Sequence, residues 1–161
     1  VEQLLRTFSF KSHDELEALF DSLKTNPGAR EAHRALAREV TSLIHGESTT
    51  VNVENAAKAL FGQAEIRELD VETLESALSE LPRTTIRKGE PIPTWVDLIA
   101  ASGVVDSKSA ARRVVKEGGA YLNNEKISGE DFAPSTSDLL HGRFMVLRKG
   151  KRDLASVELV S

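Results

Sequence analysis

Between Ser107 and Ile127 the chain reads SKSAARRVVKEGGAYLNNEKI, a capped helix followed at once by a tight strand pair. Ser107 is placed to cap a helix starting at Lys108. Ala111, Val114 and Val115 recur at helical spacing and supply its apolar face. Gly118-Gly119 stops the helix, because glycine readily adopts the left-handed conformation that closes a C-terminus. Ala120–Leu122 then reads as a short strand, Asn123-Asn124 as a turn and Lys126-Ile127 as the return strand. A change from helical to strand periodicity over so few residues fits an α+β fold.

The same stretch carries charge in a pattern. Lys108, Arg112 and Lys116 lie at i, i+4 and i+8 and form one stripe, with Arg113 beside it. A cationic stripe next to a turn of amide side chains suits phosphate and ribose contacts. A basic stripe alone is most often a solvated outer face. Its context argues further: residues 107–152 hold ten Lys or Arg against five Asp or Glu, while the chain as a whole carries −4. A second basic cluster, Arg148-Lys149-Gly150-Lys151-Arg152, follows the apolar run Phe144–Leu147. Two such clusters on separate elements of one small domain suggest a patch.

The first half is different. Ser12 and Glu15 make a capping box ahead of the apolar stripe Leu16, Leu19, Phe20 and Leu23, so 12–24 is expected to be helical. Phe8 and Phe10 read as apolar anchors before it. Pro27 is expected to begin a long helix ending at Gly46, with Ala32, Ala35, Leu36, Val40, Leu43 and Ile44 on its buried side. Another helix should open at Asn52 or Glu54, with Ala56, Ala57, Leu60 and Phe61 inward and Gly62 as its stop. Asp70 caps a further helix carrying Val71, Leu74, Leu78 and Leu81, ended by Pro82. Residues 1–91 hold 11 basic and 16 acidic side chains, so this acidic half is a poor first choice for RNA contact. Arg30, Arg34 and Arg38 share a face there, more simply read as a solvated stripe paired with Glu31 and Glu39.

The expected organisation is a small all-helical domain over 1–82, a linker over 83–93 marked by Gly89, Pro91 and Pro93, and an α+β domain over 94–161. In the last, Thr94 and Asp97 start a helix through Trp95–Ile99, residues 134–142 are turn-rich, and 144–148 pairs with 155–160.

Several classes of chemistry find no support. There is no cysteine, so disulfides and thiolate metal sites are excluded, in keeping with a reducing cytoplasm. No apolar run approaches the ~18 residues of a membrane span. His13, His33, His45 and His141 have no metal-ligand spacing. No glycine-rich phosphate loop follows a strand. His45-Gly46-Glu47-Ser48 reads as a helix end, and Asp106-Ser107-Lys108-Ser109 as a cap. The chain opens inside a helical pattern, as a fragment would, and its one methionine is Met145.

Three further segments carry a resemblance. Ser-Lys-Ser-x-Ala-Arg-Arg from Ser107, Gly-Gly-x-Tyr-x-Asn-x-x-Lys-Ile from Gly118, and Phe-x-Val-Leu-Arg-Lys-Gly-Lys from Phe144 together resemble the S4 RNA-binding domain, over 94–159. Two segments of the first half add to this. Leu-x-x-Phe-x-Phe-x-Ser-x-x-Glu-Leu-Glu-Ala-Leu from Leu5, and Asn-Pro-Gly-x-Arg-Glu-Ala-x-x-x-Leu-Ala-x-Glu-Val-Thr-x-Leu-x-His-Gly from Asn26, resemble the helical anticodon-binding domain of bacterial tyrosyl-tRNA synthetases. Helical domain followed by S4 domain is the C-terminal order of that family.

The resemblance implies a tRNA-binding portion without its catalytic domain, the helical part meeting the anticodon end and the S4 part the anticodon stem and long variable arm of tyrosine tRNA. The alternative is an S4 module of another RNA-associated protein, an RNA-modifying enzyme or a ribosome-associated factor. Phosphate contacts are expected from Lys108, Arg112, Arg113, Lys116, Lys126, Arg148, Lys149 and Lys151, and ribose contacts from Asn123 and Asn124. Tyr121 is read as core. No catalytic residue, metal or cofactor is expected in the fragment, although the resemblance implies ATP and Mg for the parent enzyme. The fragment is expected to be a cytoplasmic monomer.

Overall fold

Local signals explain most helix starts. The computed structural model describes residues 1–161, in the order α1 (Glu2–Phe8), α2 (His13–Thr25), α3 (Glu31–His45), α4 (Glu47–Leu60), α5 (Val71–Ser79), β1 (Arg83–Arg87), α6 (Trp95–Ala101), α7 (Lys108–Lys116), β2 (Ala120–Leu122), β3 (Glu125–Lys126), β4 (Phe144–Lys149) and β5 (Asp153–Val160). The capping box before α2 is present: the Ser12 N–H donates to Glu15 at 2.8 Å, and the Glu15 N–H donates to Ser12 Oγ at 3.4 Å. Asp70, Thr94 and Ser107 cap α5, α6 and α7 through the forward bond, their side-chain oxygens accepting from the N–H groups of Thr73, Asp97 and Ala110.

The chain divides into two compact units, Val1–Glu54 and Asn55–Ser161, and the division falls within α4. This corrects the expected boundary at residue 82.

In the first unit, Leu5 of α1, Leu16 and Phe20 of α2 and Ala32 of α3 form a small core. Several expectations change here. Pro27 begins a 3-10 turn, Pro27–Ala29, and Arg30 takes a left-handed conformation (φ 53°) before α3 starts. Gly28, a poor helix former, separates Pro27 from the helix proper. The next helix opens at Glu47, directly after Gly46, rather than at Asn52 or Glu54. Phe8 and Phe10 stay outside the core of the unit, being 50% and 85% exposed, and Leu43 and Ile44 are exposed as well. Arg38 pairs with Glu47 and Glu54, not with Glu31 or Glu39.

The second unit is built on one five-stranded sheet in the order β1-β5-β4-β2-β3. β4 pairs antiparallel with both β5 and β2, and β1 lies parallel to β5. Residues 144–147 and 154–157 are buried without alternation, the signature of strands covered on both faces. On one face Met145, Leu147, Ala155 and Val157 pack with Trp95, Ile99, Ala111 and Val115 of α6 and α7. The Trp95 indole N–H donates to the Tyr121 carbonyl at 3.0 Å, fastening α6 to β2. On the other face Phe144, Val146 and Leu154 pack with Ala56, Ala59 and Leu60 of α4 and Leu74 and Leu78 of α5.

That second face is why the boundary moves. Without residues 55–80, the alternate side chains of β4 and β5 would face water. The expected linker is likewise partly strand: Arg83–Arg87 pairs with Ser156–Val160, and Ile86 enters the α6/α7 core. Thr-Thr-Ile is β-branched throughout and suits a strand, and Arg83 and Arg87 charge this sheet edge. Arg143 ties the layers together, its Nη2 lying 2.9 Å from Glu75 of α5 and 2.6 Å from Glu158 of β5.

Candidate nucleic-acid interface

The strand register builds the centre of the positive surface. Tyr121 on β2 stands opposite Arg148 on β4, and the Arg148 guanidinium lies over the Tyr121 ring, 3.9 Å from its centroid. Arg148 Nη1 donates to the Gly150 carbonyl at 2.8 Å, while its Nε is buried without an acceptor. Tyr121 is thus half-buried and serves as the support of a cation. After β4 the chain reverses through Gly150 (φ 62°), whose N–H donates to Gly119 at 2.7 Å. Lys151 and Arg152 stand exposed in that turn, and Lys149 pairs with Asp153 at 3.1 Å.

The α7 stripe forms as spaced, but carboxylates meet it. Lys108 Nζ lies 2.6 Å from Asp97 of α6, and Glu130 lies 3.6 Å from Arg112 and 3.2 Å from Lys116. The Lys108 ammonium, with the Thr94 hydroxyl, holds the Asp97 carboxyl below its ordinary pKa, so Asp97 stays charged. Arg113 lies about 100° around the helix from Arg112 and has no ion pair within the unit. Lys126 crosses above Gly118, where an added Cβ would come within 2.7 Å of its Nζ. The left-handed φ of 71° is what favours glycine at 118, since the flexible Lys126 tip can swing aside.

The two asparagines are structural. Asn123 is 6% exposed; its Nδ2 donates to Asp138 at 2.6 Å and its Oδ1 accepts from the Val146 N–H at 2.9 Å. Burial and these two bonds give it a bracing role, in place of the free amide expected for a ribose contact. Asn124 Nδ2 donates to the Ala59 carbonyl near the end of α4 at 2.5 Å. Both hold the left-handed conformation of the turn, which asparagine tolerates (φ 48° and 70°).

The ten expected residues therefore separate. Lys108, Arg112, Lys116 and Lys149 are ion-paired; Arg113, Lys126, Arg148 and Lys151 have no carboxylate within 4.0 Å in this unit; Asn123 and Asn124 hold a turn. The structure adds three residues, Phe61, Gln63 and Arg152. Phe61, expected inward, is 46% exposed. It lines a concavity of about 460 Å³ with Gln63, Arg148, Lys151 and Arg152. The inward positions of α4 here are Ala56, Ala59 and Leu60, so Phe61 falls one step off the stripe. The i, i+3, i+4 spacing of those three was a signal available in the chain.

A family model described as the tyrosine–tRNA ligase SYY-like C-terminal domain matches residues 73–157, more than half of the chain. The chain belongs to this family. The match takes in α5 from its third residue on, the whole sheet but for its last residues, α6 and α7. Tyrosine–tRNA ligases similar to this chain include that of Streptomyces avermitilis, 55% identical over 99% of this chain and 37% of the relative. That of Corynebacterium efficiens is 54% identical over 99% of this chain and 38% of the relative. That of Mycobacterium bovis is 46% identical, again over 99% and 38%. The chain spans little more than a third of the length of these curated relatives. A solved structure described as the solution structure of a tyrosyl-tRNA synthetase C-terminal domain is 26% identical, covers 60% of this chain and 96% of that chain, and has a TM-score of 0.47.

Proposed function

We propose that this chain is the tRNA-binding C-terminal portion of a tyrosine–tRNA ligase, gripping the anticodon stem and long variable arm of tyrosine tRNA by phosphate contacts. The observation that carries the reading is the cluster Arg148, Lys151 and Arg152, which has no carboxylate within 4.0 Å in its own unit and so offers unneutralised charge to phosphate. Arg113 and Lys126 add to it. The paired stripe of Lys108, Arg112 and Lys116 contributes when phosphates displace Glu130 and Asp97. The S4-like portion acts chiefly through shape and charge, and the helical unit meets the anticodon end. Aminoacylation with ATP and Mg belongs to the remaining length of the parent enzyme, and the expected setting is the cytoplasm, with the fragment monomeric. No helix is long and apolar enough to cross a membrane.

Filter binding of tyrosine tRNA, with a tRNA lacking the long variable arm as control, tests this. Neutralising about four or five phosphates gives a slope of log K against log salt of about −3 to −4. A slope near zero, or equal affinity for both RNAs, refutes it.

A further inference from the structure

We infer that Phe61 is a stacking platform for an unstacked nucleobase of the bound RNA; this rests on the RNA-binding reading above. A large aromatic left 46% exposed beside unneutralised cations is a combination that core packing does not explain. Phe61 follows Leu60, the last residue of α4, and precedes Gly62, whose φ of 74° turns the chain sharply. A Cβ at Gly62 would sit 3.6 Å from Asn124 Oδ1 and 3.7 Å from Arg148 Nη2, so the backbone here lies directly against the Arg148 guanidinium. The bond from Asn124 Nδ2 to the Ala59 carbonyl fastens the same helix end to the β2–β3 turn.

Both walls of the concavity are thereby held. On one side Tyr121 and the Gly150 carbonyl keep the Arg148 plane in place. On the other, Gly62 and Asn124 fix the end of α4, presenting Phe61 and Gln63. The chemistry matches an RNA base better than an acidic peptide. A ring and a guanidinium plane offer stacking surface, the Gln63 amide can both donate to and accept from a base edge, and Lys151 and Arg152 lie within reach of the flanking phosphates. An acidic peptide would use the cations and leave the ring idle.

Stacking and charge leave different signatures. Phe61→Ala should weaken tyrosine-tRNA binding by about 5- to 100-fold while leaving the salt slope unchanged. Phe61→Tyr should restore most of the loss. Lys151→Glu with Arg152→Glu should weaken binding and flatten the slope. Phe61→Trp gives a direct readout: saturating tyrosine tRNA should quench its fluorescence beyond the change in the parent chain, whose single Trp95 is fully buried. Circular dichroism melts confirm folding of each variant. If Phe61→Ala binds as tightly as the parent while the charge reversals weaken binding, or if Phe61→Trp shows no added quenching at saturation, the platform is overturned and RNA binding stands. If the unaltered chain fails to bind tyrosine tRNA, both readings fall.

Discussion

Asn123 shows how one side chain can resemble a binding residue and act as a brace. Its amide bridges the Asp138 carbonyl and the Val146 N–H, and its own N–H donates to the Val146 carbonyl at 2.8 Å. Asn123→Ala leaves a buried backbone N–H without its acceptor, which costs about 1–3 kcal/mol. Urea denaturation should register that loss, and the salt slope of RNA binding should not move; a changed slope with unchanged stability would return Asn123 to the interface. Arg148 differs from it. No carboxylate in its unit neutralises it, and an aromatic ring and one carbonyl set its direction. Replacing it with Lys keeps the charge and loses the planar stack.

At the scale of the element, α7 is a cationic helix whose charge is partly offset by its neighbours. Glu130 faces both Arg112 and Lys116. If RNA uses this stripe, Glu130→Gln should tighten tyrosine-tRNA binding, by up to about fivefold given the modest strength of exposed pairs. Unchanged affinity would confine the interface to the β4–β5 turn and its surroundings. β5 has its own electrostatic anchor. The Arg143 guanidinium, with Arg83 adding to it, holds the Glu158 carboxyl below the ordinary glutamate pKa. A depressed carboxyl pKa stabilises the fold fully above the ordinary value, and that contribution is lost as pH falls through the folded-state value. Asp97 behaves likewise through Lys108 and Thr94. Thermal midpoints should therefore fall on acidification, and Glu158→Gln should remove part of that acid limb. An identical pH profile for the variant would refute the anchor.

For the whole molecule, the sheet with helices on both faces decides where the chain can be cut. Residues 55–80 cover Phe144, Val146 and Leu154, so they belong with the sheet. A fragment of 55–161 should unfold cooperatively in urea, whereas 94–161 should bind a hydrophobic dye and melt without a sharp transition. A cooperative 94–161 would overturn this division. Phe144→Ala, which empties a fully buried site between sheet and helices, should cost about 3–5 kcal/mol by urea denaturation of the full chain.

Elements whose signals lie within a few residues were legible in the chain itself. Capped helices at Ser12, Asp70, Thr94 and Ser107, the glycine stop at Gly118 and the strand pair around Asn123-Asn124 all need only neighbours to form. The α+β class and the surplus of positive charge over 107–152 follow from such local terms. Tertiary structure decided the rest, because those outcomes depend on partners distant in sequence. Arg83–Arg87 became a strand through pairing with β5, and 55–80 joined the sheet because its second face required cover. Glu130 neutralised part of one cationic stripe while the β4–β5 turn was left free. Charge along a chain is a local property; whether that charge is available to a ligand depends on which carboxylates the fold brings within reach.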